Sequence, residues 1–299
     1  MKAKFTFLYL LSLSLLLVLP LSGPSAADDT LIQALDTGCI DWSAGTVRAR
    51  GVATPAISDD VESPDSPSDI IDSARRMAQA NLIETASAIP INAVSRVADR
   101  MAQSTDFRDG LSTLARNASL SHQEYLSDGT VEIELTMNLT GGFSQFVLPE
   151  EIRQVDSVVT MTAAKPDADK PSSMPVNGSD GSPHTGLILD ATGIGAKPSL
   201  VPVVVDESGD VVYGPAFVSR EFAVSRGMSG FATTLAAARR DKRVGDRPLV
   251  VKAIRTRSTG ATDLVVSSAD GARLRSSVVH LNFLKACRVS IVMDPEADP

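Results

Sequence analysis

Cysteine is nearly missing from this chain: Cys39 and Cys287 are its only two. Neither has a C-x-x-C partner or a nearby histidine, so the sequence offers no metal site of the usual spacing. Histidine numbers three, His122, His184 and His280, and their neighbourhoods do not converge. Aromatic residues make up 4% of the chain, with a single tryptophan. Alanine, valine and leucine must therefore fill the interior, and deep aromatic-lined pockets of the kind that hold sugars or nucleobases are disfavoured. Apart from residues 5–19, the chain has no long hydrophobic run. That run is shorter than the ~20 residues that span a bilayer as a helix, so no membrane span is expected. No G-x-S-x-G, H-E-x-x-H or P-loop pattern is present, and the sequence assigns no catalytic, cofactor-binding or metal-binding residue.

The single apolar run follows Lys2 and Lys4 and ends in Pro20 and Ser25-Ala26-Ala27, ahead of Asp28 and Asp29. This is the pattern of a secretory signal peptide over residues 1–27, and it places the mature protein in the periplasm or outside the cell. No cysteine stands at the cleavage site to carry a lipid anchor. In an oxidising compartment the two cysteines, 248 positions apart, invite one disulfide. Chain entropy would give it about 5 kcal/mol, less any strain. Two buried thiols, or a metal or redox pair, are the rival readings.

The 272 residues after the signal are enough for two domains with a core each. A hydrophobic fraction of 43% against 21% charged is ordinary for a globular protein. Charge is unevenly spread. Residues 28–185 carry 24 acidic and 11 basic side chains, and residues 186–299 carry 12 and 15. A net acidic mature chain argues against nucleic acid as a partner, because phosphate backbones are bound by lysine and arginine.

Along the chain, residues 40–53 read as a strand and residues 54–67 as an acidic Pro/Ser loop. Ser68 offers an N-cap for a helix to residue 89, stopped by Pro90. Two shorter amphipathic helices carry Val97 and Met101, then Phe107 and Leu111. Strands over 119–126 and from Val131 to Met137 are joined by Asp128-Gly129, a hairpin signal. Residues 163–185 are rich in proline, glycine and serine and read as a linker. The second half restarts with a strand at Gly186. A hairpin follows around residues 206–210, then a helical stretch over 219–238, strands at 249–254 and 264–266, a helix over 269–279 and a closing strand at 289–293. The expected architecture is α+β: residues 28–162 and 186–299 form two domains with mixed or antiparallel sheets and packed helices.

Candidate chemistry is sparse. His122 and Glu124 share one strand face, as a base and its orienter would, although a solvated strand face explains them more simply. His280 reads as a helix-terminal residue. Gly193-Ile194-Gly195 follows a strand, but Pro198 stands where a dinucleotide fold needs glycine. Residues 206–210 hold oxygen ligands without the full spacing of a calcium loop, so a hairpin turn suffices. The densest basic cluster is Arg239, Arg240, Lys242, Arg243 and Arg247. These residues complement a helix C-terminus, or they form a docking face for an acidic partner.

The strand Val47-Arg48-Ala49-Arg50-Gly51-Val52-Ala53, the helical segment Ala74-Arg75-Arg76-Met77-Ala78 and the Asp128-Gly129 hairpin together resemble a bacterial envelope family. The chain looks like the small outer-envelope lipoproteins and the N-terminal domain of flagellar assembly protein T over residues 40–139. The resemblance implies an α+β module of the outer envelope, or of rings around the flagellar motor, with no catalytic residues. The lipoproteins' acylated cysteine is missing here. The function expected is that of a noncatalytic exported scaffold or interaction module. Its partner would be an envelope protein or an anionic envelope polymer. The alternative is an exported hydrolase whose site is assembled from distant loops.

Overall fold

The computed structural model describes residues 29–55, 66–152, 183–257 and 260–295. The signal segment, residues 163–182 of the expected linker and most of the acidic loop at 54–67 lie outside the described residues. Among the described residues no helix is long and apolar enough to cross a membrane.

The first domain begins with three antiparallel strands, β1 (Ile32–Leu35), β2 (Gly38–Asp41) and β3 (Thr46–Ala53). The single strand expected over residues 40–53 is thus two strands of a hairpin. The chain turns through residues 42–45, where Gly45 takes a left-handed conformation at φ +67°. Three helices follow: α1 (Pro67–Ser87), α2 (Val97–Gln103) and α3 (Thr105–Arg116). The N-cap of α1 is Ser66 rather than Ser68; Pro67 opens the helix, and the Ser66 amide donates to the Asp69 carboxylate at 3.2 Å. Strands β4 (Ser119–Tyr125) and β5 (Val131–Asn138) close an antiparallel sheet of order β1-β2-β3-β5-β4, and a short helix, α4 (Gly142–Val147), follows. On β5 the alternation of Val131, Ile133, Leu135 and Met137 puts four apolar side chains on the buried face. Helix α1 covers that face with Ile70, Ala74, Ala78 and Leu82. Full burial of side chains such as Leu82 and Ile133 stabilises by about 1.5–3 kcal/mol each.

The second domain is a seven-stranded mixed sheet. Its elements run β6 (Gly186–Asp190), β7 (Val204–Asp206), β8 (Val211–Tyr213), a 3-10 turn (Pro215–Phe217), α5 (Arg220–Arg226), β9 (Gly230–Ala232), α6 (Leu235–Arg240), β10 (Pro248–Thr256), β11 (Leu264–Val266), α7 (Ser268–Ser276), α8 (Val278–Lys285) and β12 (Val289–Val292). The order across the sheet is β8-β7-β11-β10-β6-β12-β9. Strand β6 lies between β10 and β12 and is parallel to both, so all its side chains except that of Asp190 are buried.

Two expectations are corrected here. The helix over 219–238 is α5 and α6 with edge strand β9 between them, because Gly227 leaves the helix at φ +75°. The helix over 269–279 breaks at Ser277, whose extended backbone starts α8 anew. His280 therefore sits in the first turn of a helix, buried, rather than near a helix end.

The two domains share one continuous apolar core. Backbone bonds cross between them, from Leu200 to Pro90 at 3.0 Å, from Val201 to Ile91 at 2.8 Å and from Gly141 to Val224 at 2.8 Å. The Arg220 guanidinium donates to the carbonyls of Pro149 at 2.9 Å and Gln145 at 3.0 Å. Trp42 meets Phe231 edge-on with ring centroids 5.5 Å apart.

The Cys39–Cys287 disulfide expected from the sequence is not formed: both thiols are free. Cys39 lies on β2, between Ala34 of β1 and Arg48 of β3. Cys287 lies in the other domain, buried at the turn between α8 and β12 beside Tyr213 and Arg243. Burial pushes the Cys287 thiol up to about 11, which leaves almost no thiolate near neutral pH. A water-soluble alkylating reagent at pH 8 is therefore expected to add once to the native protein, at Cys39, and twice after denaturation. Peptide mass mapping checks this, and a native protein that takes no adduct until reduced would restore the disulfide.

Candidate functional site

The five basic residues grouped by the sequence do not form one surface. Arg239 and Arg240 lie in the last turn of α6, complementing its C-terminus. Arg239 and Lys242 are exposed, while Arg240 pairs with Asp29 at 2.5 Å. Arg243 turns inward. Its guanidinium donates to the carbonyls of Gly227 at 3.0 Å, Cys287 at 3.3 Å and Arg226, and it faces the Asp241 carboxylate at 3.7 Å. Burial, partly offset by Asp241, lowers its pKa. Arg243 is thus a bracing residue that caps carbonyls at the end of α5 and before β12, and it is not available to a partner.

Arg247 belongs to a different group. It stands with His184, Thr185 and Arg288 around a shallow pocket walled by Val279 and Phe283 of α8. The Arg273 guanidinium approaches the His184 ring nitrogen at 3.5 Å, and His280 lies under that ring with centroids 5.7 Å apart. Among the described residues no acidic side chain lines this pocket. The outward face of α8 is apolar next to these cations: Val278 is 73% exposed, and Val279 and Leu281 are exposed as well. Sequence reasoning grouped Arg247 by proximity in the chain and missed Arg273 and Arg288. Their signal was weak, because Arg273 and Arg288 lie in the chain on opposite sides of α8, outside the basic run at 239–247.

The remaining sequence candidates are spent locally. His122 and Glu124 sit 3.6 Å apart on the exposed edge strand β4, with Glu132 paired opposite Glu124. Asp206 accepts from the amides of Ser208 at 2.9 Å and Asp210 at 3.0 Å, closing its hairpin. Its second oxygen pairs with Arg275 at 2.6 Å, and that guanidinium is the main cause holding the Asp206 carboxyl below its ordinary value. After β6, the Gly193 amide donates to Asp294 at 2.8 Å, and Asp190 pairs with Lys252 at 3.1 Å. An irregular segment rather than a helix leads on to β7, so the glycines of this turn do not aim a helix N-terminus at a phosphate. Among the described residues no group of three His, Cys, Asp or Glu side chains converges to hold a metal ion.

A second concavity lies where the domains meet. It encloses about 180 Å³ between the turn at Trp42–Gly45, the residues before α4 and the segment from Arg226 to Phe231. Ser199 is fully buried in its wall, and the hydroxyls of Ser199 and Ser229 have no hydrogen-bond partner.

These features define an α+β protein whose two domains share a core, carry one cationic and apolar face, and meet at a small cleft. Residues 186–295, the whole seven-stranded sheet, match the family model described as Treponema pallidum Tp0624, second domain. No curated protein matches the chain.

Proposed function

We propose that this protein is an exported, noncatalytic envelope module, a scaffold or interaction protein of the kind implied by the resemblance of its first half. The α8 face is its docking surface for an acidic envelope partner. The observation that carries the reading is the pairing of exposed Val278, Val279 and Leu281 with Arg247 and Arg288 around a pocket that no acid lines among the described residues, and with Arg273 beside its His184. Interface cores combine apolar area with arginine, and unpaired cations on the rim steer an acidic partner and set its register. Helix α8 is anchored from beneath by His280, Phe283 and Leu284, so the face is held rigidly. The reading is tested by affinity capture from envelope extract with the mature protein and with an Arg247→Glu, Arg288→Glu, Val279→Asp variant. The expected result is a salt-sensitive partner whose recovery falls roughly tenfold or more in the variant. Unfolding temperature should stay within the small range of surface substitutions. Equal recovery by the variant would remove α8 as the docking face.

A further inference from the structure

We propose that the α8 face docks on a lipid surface rich in acidic phospholipid headgroups. Val278, Val279 and Leu281 enter the interface, and the neighbouring guanidiniums pair with headgroup phosphates. The inference rests on α8 as the docking face and names what that face meets. Phe283 and Leu284 bury one side of the helix. Val278 stands where the break at Ser277 starts it, and Leu281 lies one turn along the same exposed side. Val279 is exposed too, yet it also lines the pocket with Arg247 and Arg288, so it belongs to the apolar face and to the cationic pocket alike. Arg288 is exposed, and its guanidinium makes one long bond, 3.4 Å, to the Thr185 carbonyl. Arg247 is exposed as well; its amide donates to the Thr185 hydroxyl at 3.0 Å, while its guanidinium has no partner among the described residues.

Two features favour lipid over other acidic partners. A protein interface of ordinary size covers about 800 Å² of each partner, far more than three partly exposed side chains on a helix of eight residues present. A lipid surface needs no matching contour: apolar side chains enter the acyl boundary, and each cation held near an anionic surface gains about fivefold in affinity. A soluble phosphate ester would use the cations and leave Val278 and Leu281 in water. Charge also supplies orientation. The chain carries a net charge of −8, and its acidic excess lies in residues 28–185, whereas residues 186–299 carry 12 acidic and 15 basic side chains. An anionic surface therefore repels the first half and attracts the second, which carries α8. The same imbalance excludes adhesion by overall charge, so binding to an anionic bilayer reports a local patch.

Vesicle flotation of the mature protein tests this. It should bind phosphatidylcholine vesicles containing phosphatidylglycerol, and bind pure phosphatidylcholine weaker by roughly tenfold or more. Arg247→Gln with Arg288→Gln should weaken the anionic binding by roughly twenty-fivefold, about fivefold per arginine. Val278→Ser with Leu281→Ser should weaken it by roughly tenfold or more through lost apolar burial. Both double variants should unfold within the small range of surface substitutions. In Val278→Trp, brominated acyl chains should quench the added emission; Trp42, the one native tryptophan, is buried and gives a constant background. Excess glycerol 3-phosphate should not release the protein. No binding to the anionic vesicles, equal binding to both kinds, an unquenched Val278→Trp or release by glycerol 3-phosphate would each overturn the lipid. If capture from envelope extract is then still lost in the Arg247→Glu, Arg288→Glu, Val279→Asp variant, the docking face stands with a macromolecular occupant. If that capture is also unchanged, both readings fall.

Discussion

Replacing Arg243 by alanine is expected to destabilise the protein by about 3 kcal/mol or more, the cost of breaking a buried ion pair and leaving its neighbours unsatisfied. The Arg243 side chain is only 16% exposed. Its removal would orphan the carbonyls of Gly227, Cys287 and Arg226 and leave Asp241 without its cation. Those carbonyls sit at the end of α5 and just before β12, so the damage falls on two separate joints of the sheet. Arg239→Ala and Lys242→Ala, a few residues away and exposed, should each change stability by no more than about 0.5 kcal/mol. Urea unfolding of the three variants checks the contrast. A loss below about 1 kcal/mol for Arg243→Ala would return that residue to the solvated surface. A charge-reversal set that includes Arg243 would therefore confound partner binding with folding, and Arg247 with Arg288 is the cleaner pair.

Arg243 also shows where a sequence stops being readable. Its partners are brought from residues 226, 227 and 287 by tertiary structure, whereas its four basic neighbours owe their exposure to local position. Local pattern was reliable wherever it alone decided the outcome. The alternation of Val131 to Met137, the helical spacing of Phe107 and Leu111 and the Asp128-Gly129 turn all appear as expected. Strand β9 had no such signal. Gly230-Phe231-Ala232 is a strand only because β12 runs alongside it, pairing Ser290 with Gly230, and its flanks have helix-forming composition. The junction cleft was illegible for the same reason: Trp42, Ser199, Arg226 and Ser229 are scattered through both halves and carry no common spacing. The two cysteines mislead in a related way, since an even count says nothing about whether β2 of one sheet and the turn before β12 of the other meet.

Gly51→Ala is expected to be among the most damaging single substitutions in the first domain, costing about 3 kcal/mol. Glycine is usually a poor strand residue, so its presence in the middle of β3 calls for a steric reason. That reason is α1. A Cβ built on Gly51 would stand 2.1 Å from the carbonyl oxygen of Ala74 and 2.2 Å from the amide nitrogen of Ala78, both in the backbone of the helix. Backbone cannot rotate away as a flexible side chain does, so α1 must lift off the sheet, uncovering Leu82 and the buried face of β5. The same contact explains why α1 presents alanines at 74 and 78: small residues on the helix and no side chain on the strand let the two backbones approach. Gly45→Ala provides the control. Gly45 also stands in a hairpin of the same sheet, but a Cβ there meets nothing within 4 Å, and only its φ of +67° resists substitution. Its cost should stay near the roughly 1–2 kcal/mol of a left-handed non-glycine residue. Denaturant unfolding followed by circular dichroism should therefore rank Gly51→Ala below Gly45→Ala in stability, and the reverse order would mean that α1 does not sit directly on β3.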